Sequence, residues 1–146
     1  MSKCLILFVE GDTEVEFYKR VIANARSKRE NKMFDTSIEC RNVNGVGGFK
    51  NIALRKFVKD IKPKYDANCE FTIVLCSDTD LRLKKCTKVT GSTGYDKLMR
   101  LYKQANKVYY KGMKSNGMVA KLDIDKISLA VKDQLAPLYK ALGVTI

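Results

Sequence analysis

The stretch LILFVEGDTEVEFYKR, Leu5 to Arg20, changes character in its middle. The apolar run LILFV stops on Glu10-Gly11, and acids interspersed with apolar residues follow. A short apolar run ended by a glycine reads as a strand buried on both faces, as in a parallel sheet. Cys4 to Val9 is the predicted strand. Beyond the glycine, Thr13 and Glu16 have the spacing of a capping box. Phe17, Val21, Ile22 and Ala25 then recur at helical spacing, which predicts a helix from Thr13 to Arg26. Arg26, Lys28, Arg29 and Lys32 form a basic exit from it.

The alternation repeats downstream. Ser37 to Val43 reads as a second strand, and Asn44-Gly45-Val46-Gly47-Gly48 as a turn. Phe49 to Ile61 reads as a second helix with Ile52, Leu54, Phe57, Val58 and Ile61 on its apolar side, stopped by Pro63. FTIVLC, Phe71 to Cys76, is a third strand that runs out into Ser77-Asp78-Thr79-Asp80. Residues 82–94 read as a basic loop, Tyr95 to Ala105 as a third helix and Lys107 to Tyr110 as a short fourth strand. Gly112 to Gly117 reads as a loop. Lys126 to Leu142 has helical periodicity, with a break or kink expected at Pro137. Strands alternating with helices predict an α/β fold: a mostly parallel sheet with helices on both faces. In such sheets ligands collect at the carboxyl ends of the strands. Glu10 follows the first strand there, and Asp78 and Asp80 follow the third.

A chain of 146 residues suits one domain, here residues 1–146, and 45% hydrophobic residues suit a folded one. Lys and Arg number 28 against 16 Asp and Glu, a formal charge of +12. That excess suits a polyanionic partner, although charge alone does not choose nucleic acid over an acidic membrane. The first apolar run is too short to span a bilayer and is followed at once by acids, unlike a secretion signal. No membrane association is expected. The cysteines are Cys4, Cys40, Cys69, Cys76 and Cys86, with no CxxC pair and no histidine, so a zinc site is not expected. An odd thiol count without a leader suits a reducing cytoplasm.

Asp78 and Asp80 lie two apart, so an extended chain points both side chains the same way. Two close carboxylates repel unless a cation lies between them. Magnesium takes oxygen ligands, commonly one or two carboxylates with water and substrate phosphate. Glu10 can complete such a site or move a proton. The plainer alternative is that each aspartate caps a turn and Glu10 pairs with a lysine. Asp12, Glu14 and Glu16 fall in the first turn of the first helix, where the dipole favours acids. Glu16 reads as a cap, and Glu14 as a supporting acid able to face the metal edge.

Three segments, VEGDTEVEFYKRV (Val9 to Val21), NGVGGFKNI (Asn44 to Ile52) and IVLCSDTD (Ile73 to Asp80), together resemble a Toprim domain. This is the metal-binding domain shared by topoisomerases, primases and several nucleases of phage, defence and RNA-processing systems. The resemblance implies a Rossmann-like, stand-alone Toprim fold of about four mostly parallel strands between helices. It implies Glu10 as general acid/base or metal-linked carboxylate, and Asp78 and Asp80 as ligands of Mg²⁺, with Mn²⁺ as a substitute. It suggests a phage or bacterial defence setting. The turn carrying Gly45, Gly47 and Gly48 resembles the family's second loop. Its N–H groups can cup a phosphate, or it is simply a tight strand–helix turn. One departure stands out. Small nuclease-like members often carry a further acid after the fourth strand, whereas Tyr109 to Asp123 contains none before Asp123. Both a one-metal nuclease and a protein that binds without cutting stay open. Topoisomerase or primase activity is not expected of these residues.

Lys84, Lys85 and Lys88 follow the acidic pair and can hold flanking phosphates, which positions a nucleic acid without reading it. Lys97, Arg100, Lys103 and Lys107 form either a second binding strip or an ordinary solvated face. Tyr109 and Tyr110 either stack on unpaired bases or pack. The expected activity is a Mg²⁺-dependent phosphodiesterase, a nuclease using metal-activated water on DNA or RNA. The rivals are a non-catalytic Toprim-like protein that binds nucleic acid to inhibit or recruit, and a Mg²⁺-binding α/β signalling domain. The signalling type usually places its acids after the first strand. The sequence is compatible with a homodimer and with a protein partner.

Overall fold

The computed structural model describes residues 2–27, 36–77, 103, 104, 106 and 116–144. The element order is β1 (Lys3–Val9), α1 (Asp12–Ser27), β2 (Thr36–Asn42), α2 (Gly48–Lys56), β3 (Glu70–Cys76), α3 (Asn116–Val119), α4 (Ile124–Ala130) and α5 (Lys132–Ala141). The strands form a parallel three-stranded sheet in the order β2-β1-β3. Val9 pairs with Asn42 on one side and Cys76 on the other, so all three strands end level.

β1 is central, and Cys4 to Val9 are at most 1% exposed. Its alternate residues feed two cores. Leu5 and Leu7 pack with Val21, Ile22 and Ala25 of α1 and with Leu135, Leu138 and Tyr139 of α5. Cys4, Ile6 and Phe8 pack with Val43, Ala53 and Ile61 on the opposite face. Full burial of each such side chain contributes about 1.5–3 kcal/mol, which makes β1 the main anchor of the fold. Helices therefore cover both faces of a small parallel sheet, as the alternation predicts.

The boundaries show where local chemistry and packing diverge. α1 begins at Asp12, with the Val15 amide bonded to the Gly11 carbonyl at 3.2 Å. Thr13 thus lies inside the first turn rather than at its cap, and Glu16 pairs with Lys19 at 3.0 Å. The capping-box expectation fails because only Glu10 and Gly11 separate the end of β1 from α1, so the helix has already begun at Asp12.

α2 continues through a π-turn at Phe57–Ile61 and a 3₁₀ turn at Lys62–Lys64 that holds Pro63. The widened turn sets the Phe57 ring edge-on to Phe71 of β3, with centroids 5.2 Å apart. The expected stop at Pro63 is observed.

The predicted C-terminal helix is two helices. Asp123 caps α4 by accepting the Lys126 amide at 3.0 Å. The break falls at Val131 (φ −117°, ψ 29°), and Pro137 sits inside α5 without interrupting it. The reason is tertiary: after Val131 the chain starts a new helix whose Leu135, Leu138 and Tyr139 enter the α1 core. Pro137 then denies only the Asp133 carbonyl a helical donor. The loop predicted for residues 112–117 is helical at its end, where Asn116 and Gly117 open α3. The predicted loop at 82–94 and fourth strand at 107–110 lie outside the described residues, as does most of the helix at 95–105. Among the described residues no helix is long and apolar enough to cross a membrane. Cys4, Cys40, Cys69 and Cys76 are free thiols.

Candidate functional site

The strand ends converge on Glu10. On the β2 side, the Val43 amide bonds to the Val9 carbonyl and the Gly45 amide to the Glu10 carbonyl, each at 2.8 Å. Asn44 and Gly45 take φ of 60° and 96°, so two successive left-handed residues reverse the chain into α2. Side chains reinforce this corner. Asn42 Nδ2 donates to Asp12 Oδ1 at 2.9 Å, Lys56 Nζ donates to the Asn42 carbonyl at 2.7 Å, and Asn42 Oδ1 accepts the Asn44 amide. Gly48 is required by contact: a Cβ there would lie 1.8 Å from the Val43 carbonyl oxygen.

Of the three glycines read either as a phosphate cup or as a tight turn, Gly45 and Gly48 have their amides engaged within the turn. The Gly45 amide serves Glu10, and the Gly48 amide serves the Gly45 carbonyl at 2.9 Å. Phosphate cupping by these two N–H groups would need the turn to open. Gly47 occupies the N-cap of α2.

On the β3 side the link is made by side chains. Ser77 Oγ donates to Glu10 Oε1 at 3.0 Å. Ser77 is the last described residue of that arm, and Asp78, Asp80, Lys84, Lys85, Lys88 and Arg100 lie outside the described residues. The structure therefore brings Glu10 to the residue that directly precedes Asp78. Sequence reasoning passed over Ser77, because a serine ahead of Asp-Thr-Asp looks like one more turn residue. Among the described residues no group of three His, Cys, Asp or Glu side chains is arranged to hold a metal ion.

Glu14 turns back toward the strand ends. Its Oε2 lies 2.7 Å from where a Cβ on Gly11 would be. It lines a cleft of about 540 Å³ between α1, the end of β3 and the α4–α5 pair. Ser77 lines the same cleft. In the same cleft Tyr18 lies beside Cys76, and burial together with that neighbour pushes the Tyr18 phenol well above its usual range. Burial also pushes the Cys40 thiol up to about 12 and raises Cys76. These thiols are protonated packing groups at neutral pH, not nucleophiles.

No family model, no curated protein and no solved structure matches the chain.

Proposed function

We propose that the chain is a Toprim-like, Mg²⁺-dependent phosphodiesterase that cleaves DNA or RNA at the carboxyl edge of its sheet. The observation that carries this is the 3.0 Å bond between Glu10 and Ser77. It ties the carboxylate after β1 to the residue from which Asp78-Thr79-Asp80 continues. Asp78 and Asp80 follow Ser77 by one and three residues, so covalent reach alone keeps them within about 4 and 11 Å of it. The finer topology, a fourth parallel strand beyond the three described, belongs to the same proposal.

The donor set suits magnesium in kind: Glu10, Asp78 and Asp80 offer only carboxylate oxygen, the hard ligand this ion prefers. A divalent cation held there would neutralise phosphate charge and favour ionisation of water. The chain's own part follows from its residues. Ser77 fixes the Glu10 carboxylate by occupying Oε1. Glu10 takes the proton of the attacking water or returns one to the leaving oxygen. Lys84, Lys85, Lys88 and Arg100 hold flanking phosphates, in line with the +12 charge.

The test is cleavage of mixed single- and double-stranded DNA and RNA with Mg²⁺, Mn²⁺ or EDTA. Asp78→Asn and Asp80→Asn should abolish cutting and keep most salt-dependent binding. Wild-type rates in both variants would refute the site. Binding that survives EDTA, with no cutting of any substrate by the wild type, would replace the phosphodiesterase with a binding or recruiting protein.

A further inference from the structure

The cleft beside Glu14 has features that the cleavage chemistry does not use. Its volume, about 540 Å³, falls within the roughly 300–1,000 Å³ of small-molecule sites. Its apolar walls come from four separate elements: Phe17 and Tyr18 on α1, Val74 on β3, Ile127 on α4, and Leu135 and Pro137 on α5. Such walls receive a flat, weakly polar ring. Its lining also carries polar Glu14, Ser77 and Gln134, of which Ser77 and Gln134 are exposed. The cleft is also continuous with the sheet edge, because Ser77 both lines it and holds Glu10.

The Glu14 carboxylate in this lining repels a phosphate. In a chain of +12, the part of a polyanion that enters beside Glu14 is therefore its uncharged part. An ionised carboxylate is acceptor-only, with two oxygens side by side. Guanine alone among the bases presents two adjacent N–H donors on its Watson–Crick edge. Adenine and cytosine place a ring acceptor beside their amine, and uracil and thymine flank one N–H with two carbonyls. Each of those would set lone pair against lone pair at Glu14.

We propose that this cleft seats an unstacked guanine of the nucleic acid, with its ring against the Tyr18 wall and its N–H pair on Glu14. The inference rests on the phosphodiesterase reading for its substrate class. The attached phosphate then lies toward Ser77 and Glu10, so base selection and bond breaking share one strand end. Recognition of an unstacked base by edge hydrogen bonds and packing is the general solution where a duplex hides the base edge.

The experiment titrates GMP, AMP, CMP and UMP into the full chain while following Tyr18 and Leu135 resonances by NMR. GMP should bind at least about tenfold more tightly than AMP, the scale of one good two-point base contact. Glu14→Gln should remove that preference. Gln134→Trp, at an exposed position on the rim, should block GMP with unchanged thermal unfolding. Equal affinity for all four nucleotides, no binding, or binding indifferent to Gln134→Trp would overturn the inference. Nucleic-acid cleavage scored in parallel separates the two readings. Cleavage without guanine preference removes the cleft assignment and leaves the phosphodiesterase. Guanine preference without cleavage of any nucleic acid keeps the cleft assignment and removes the phosphodiesterase.

Discussion

Glu10 sits between two junctions built by different means. Toward β2 the contacts are main-chain bonds, a pair of left-handed residues and a glycine whose Cβ would meet a carbonyl oxygen. Toward β3, beyond the ladder pairing of Val9 with Cys76, a side-chain hydrogen bond from Ser77 reaches Glu10. Main-chain closure fixes geometry and tolerates little change. A side-chain bond orients a carboxylate while leaving it able to exchange protons. The β2 junction is therefore built as a scaffold, and under the proposed phosphodiesterase the β3 junction is where the chemistry would fall. Substitutions should separate the two, one side costing stability and the other costing turnover.

The largest effect is expected at Glu10 itself. Glu10→Gln keeps an amide oxygen to accept from Ser77, so the fold should change by less than about 1 kcal/mol. It removes the proton acceptor, and cleavage should fall about 10²–10⁴-fold. Single-turnover cleavage beside thermal unfolding checks both halves. A large loss of stability would show that Glu10 is structural and would break the comparison.

Gly48→Ala is the opposite case. The new Cβ would sit 1.8 Å from backbone oxygen, so the turn or α2 must shift. A loss of about 3 kcal/mol is expected, at the upper end for overpacking. For a chain of this size that lowers Tm by about 6–12 °C. Calorimetry checks it, and residual cleavage per folded molecule should fall far less than in Glu10→Gln.

This contrast also explains what the sequence could reveal. β1, β2 and β3 were legible to within a residue: β1 and β3 carry apolar runs, and β2, with the mixed sequence TSIECRN, is bounded by the Asn-Gly turn that follows it. Yet LILFV and FTIVLC look alike, while Ile73 and Leu75 are 46% and 58% exposed against about none in β1. Position in the sheet decides that, and no local pattern encodes it. Glu10 was legible as a strand-end acid and Gly48 as part of a turn. Ser77 was not, because its partner lies 67 residues away. The break at Val131 was misplaced to Pro137 for a similar reason. Local propensity marks the proline, but the packing of Leu135 and Leu138 against α1 decides where the chain turns. The cleft was illegible altogether, being assembled from α1, β3, α4 and α5.

Ser77→Ala tests the weaker link. One exposed hydrogen bond to a carboxylate contributes about 0.5–1.5 kcal/mol. Stability should drop by no more than that. Cleavage should fall about tenfold as Glu10 loses its fixed orientation, smaller than for Glu10→Gln because the proton acceptor remains. A loss equal to that of Glu10→Gln would give Ser77 a direct role in the reaction. No loss would mean that Asp78 and Asp80 reach Glu10 without its help.

The smallest effect concerns the thiols that flank β1 on its α1 side, Cys40 beyond Leu7 and Cys76 beyond Val9. Both are pushed upward chiefly by burial, Cys40 from 9.0 to about 12. In the unfolded chain Cys40 ionises near 9.0, while in the fold it keeps its proton to about 12. Below 9.0 both states hold the proton, and the contribution to stability is fully present. Between 9.0 and about 12 the unfolded state releases a proton that the folded state retains, so stability falls as pH rises. Tm measured from pH 8 to pH 11 should therefore decline, and Cys40→Ala should make the decline shallower. The Cys40 thiol donates toward the Val15 carbonyl at 4.0 Å, too weak a bond for its loss to mask the change in slope. Identical slopes would show that water reaches Cys40 and that the β2 junction is looser than its main-chain bonds imply. A shallower slope in the variant would confirm that the β2 side is dry and packed, as a scaffold beside the proposed reaction edge requires.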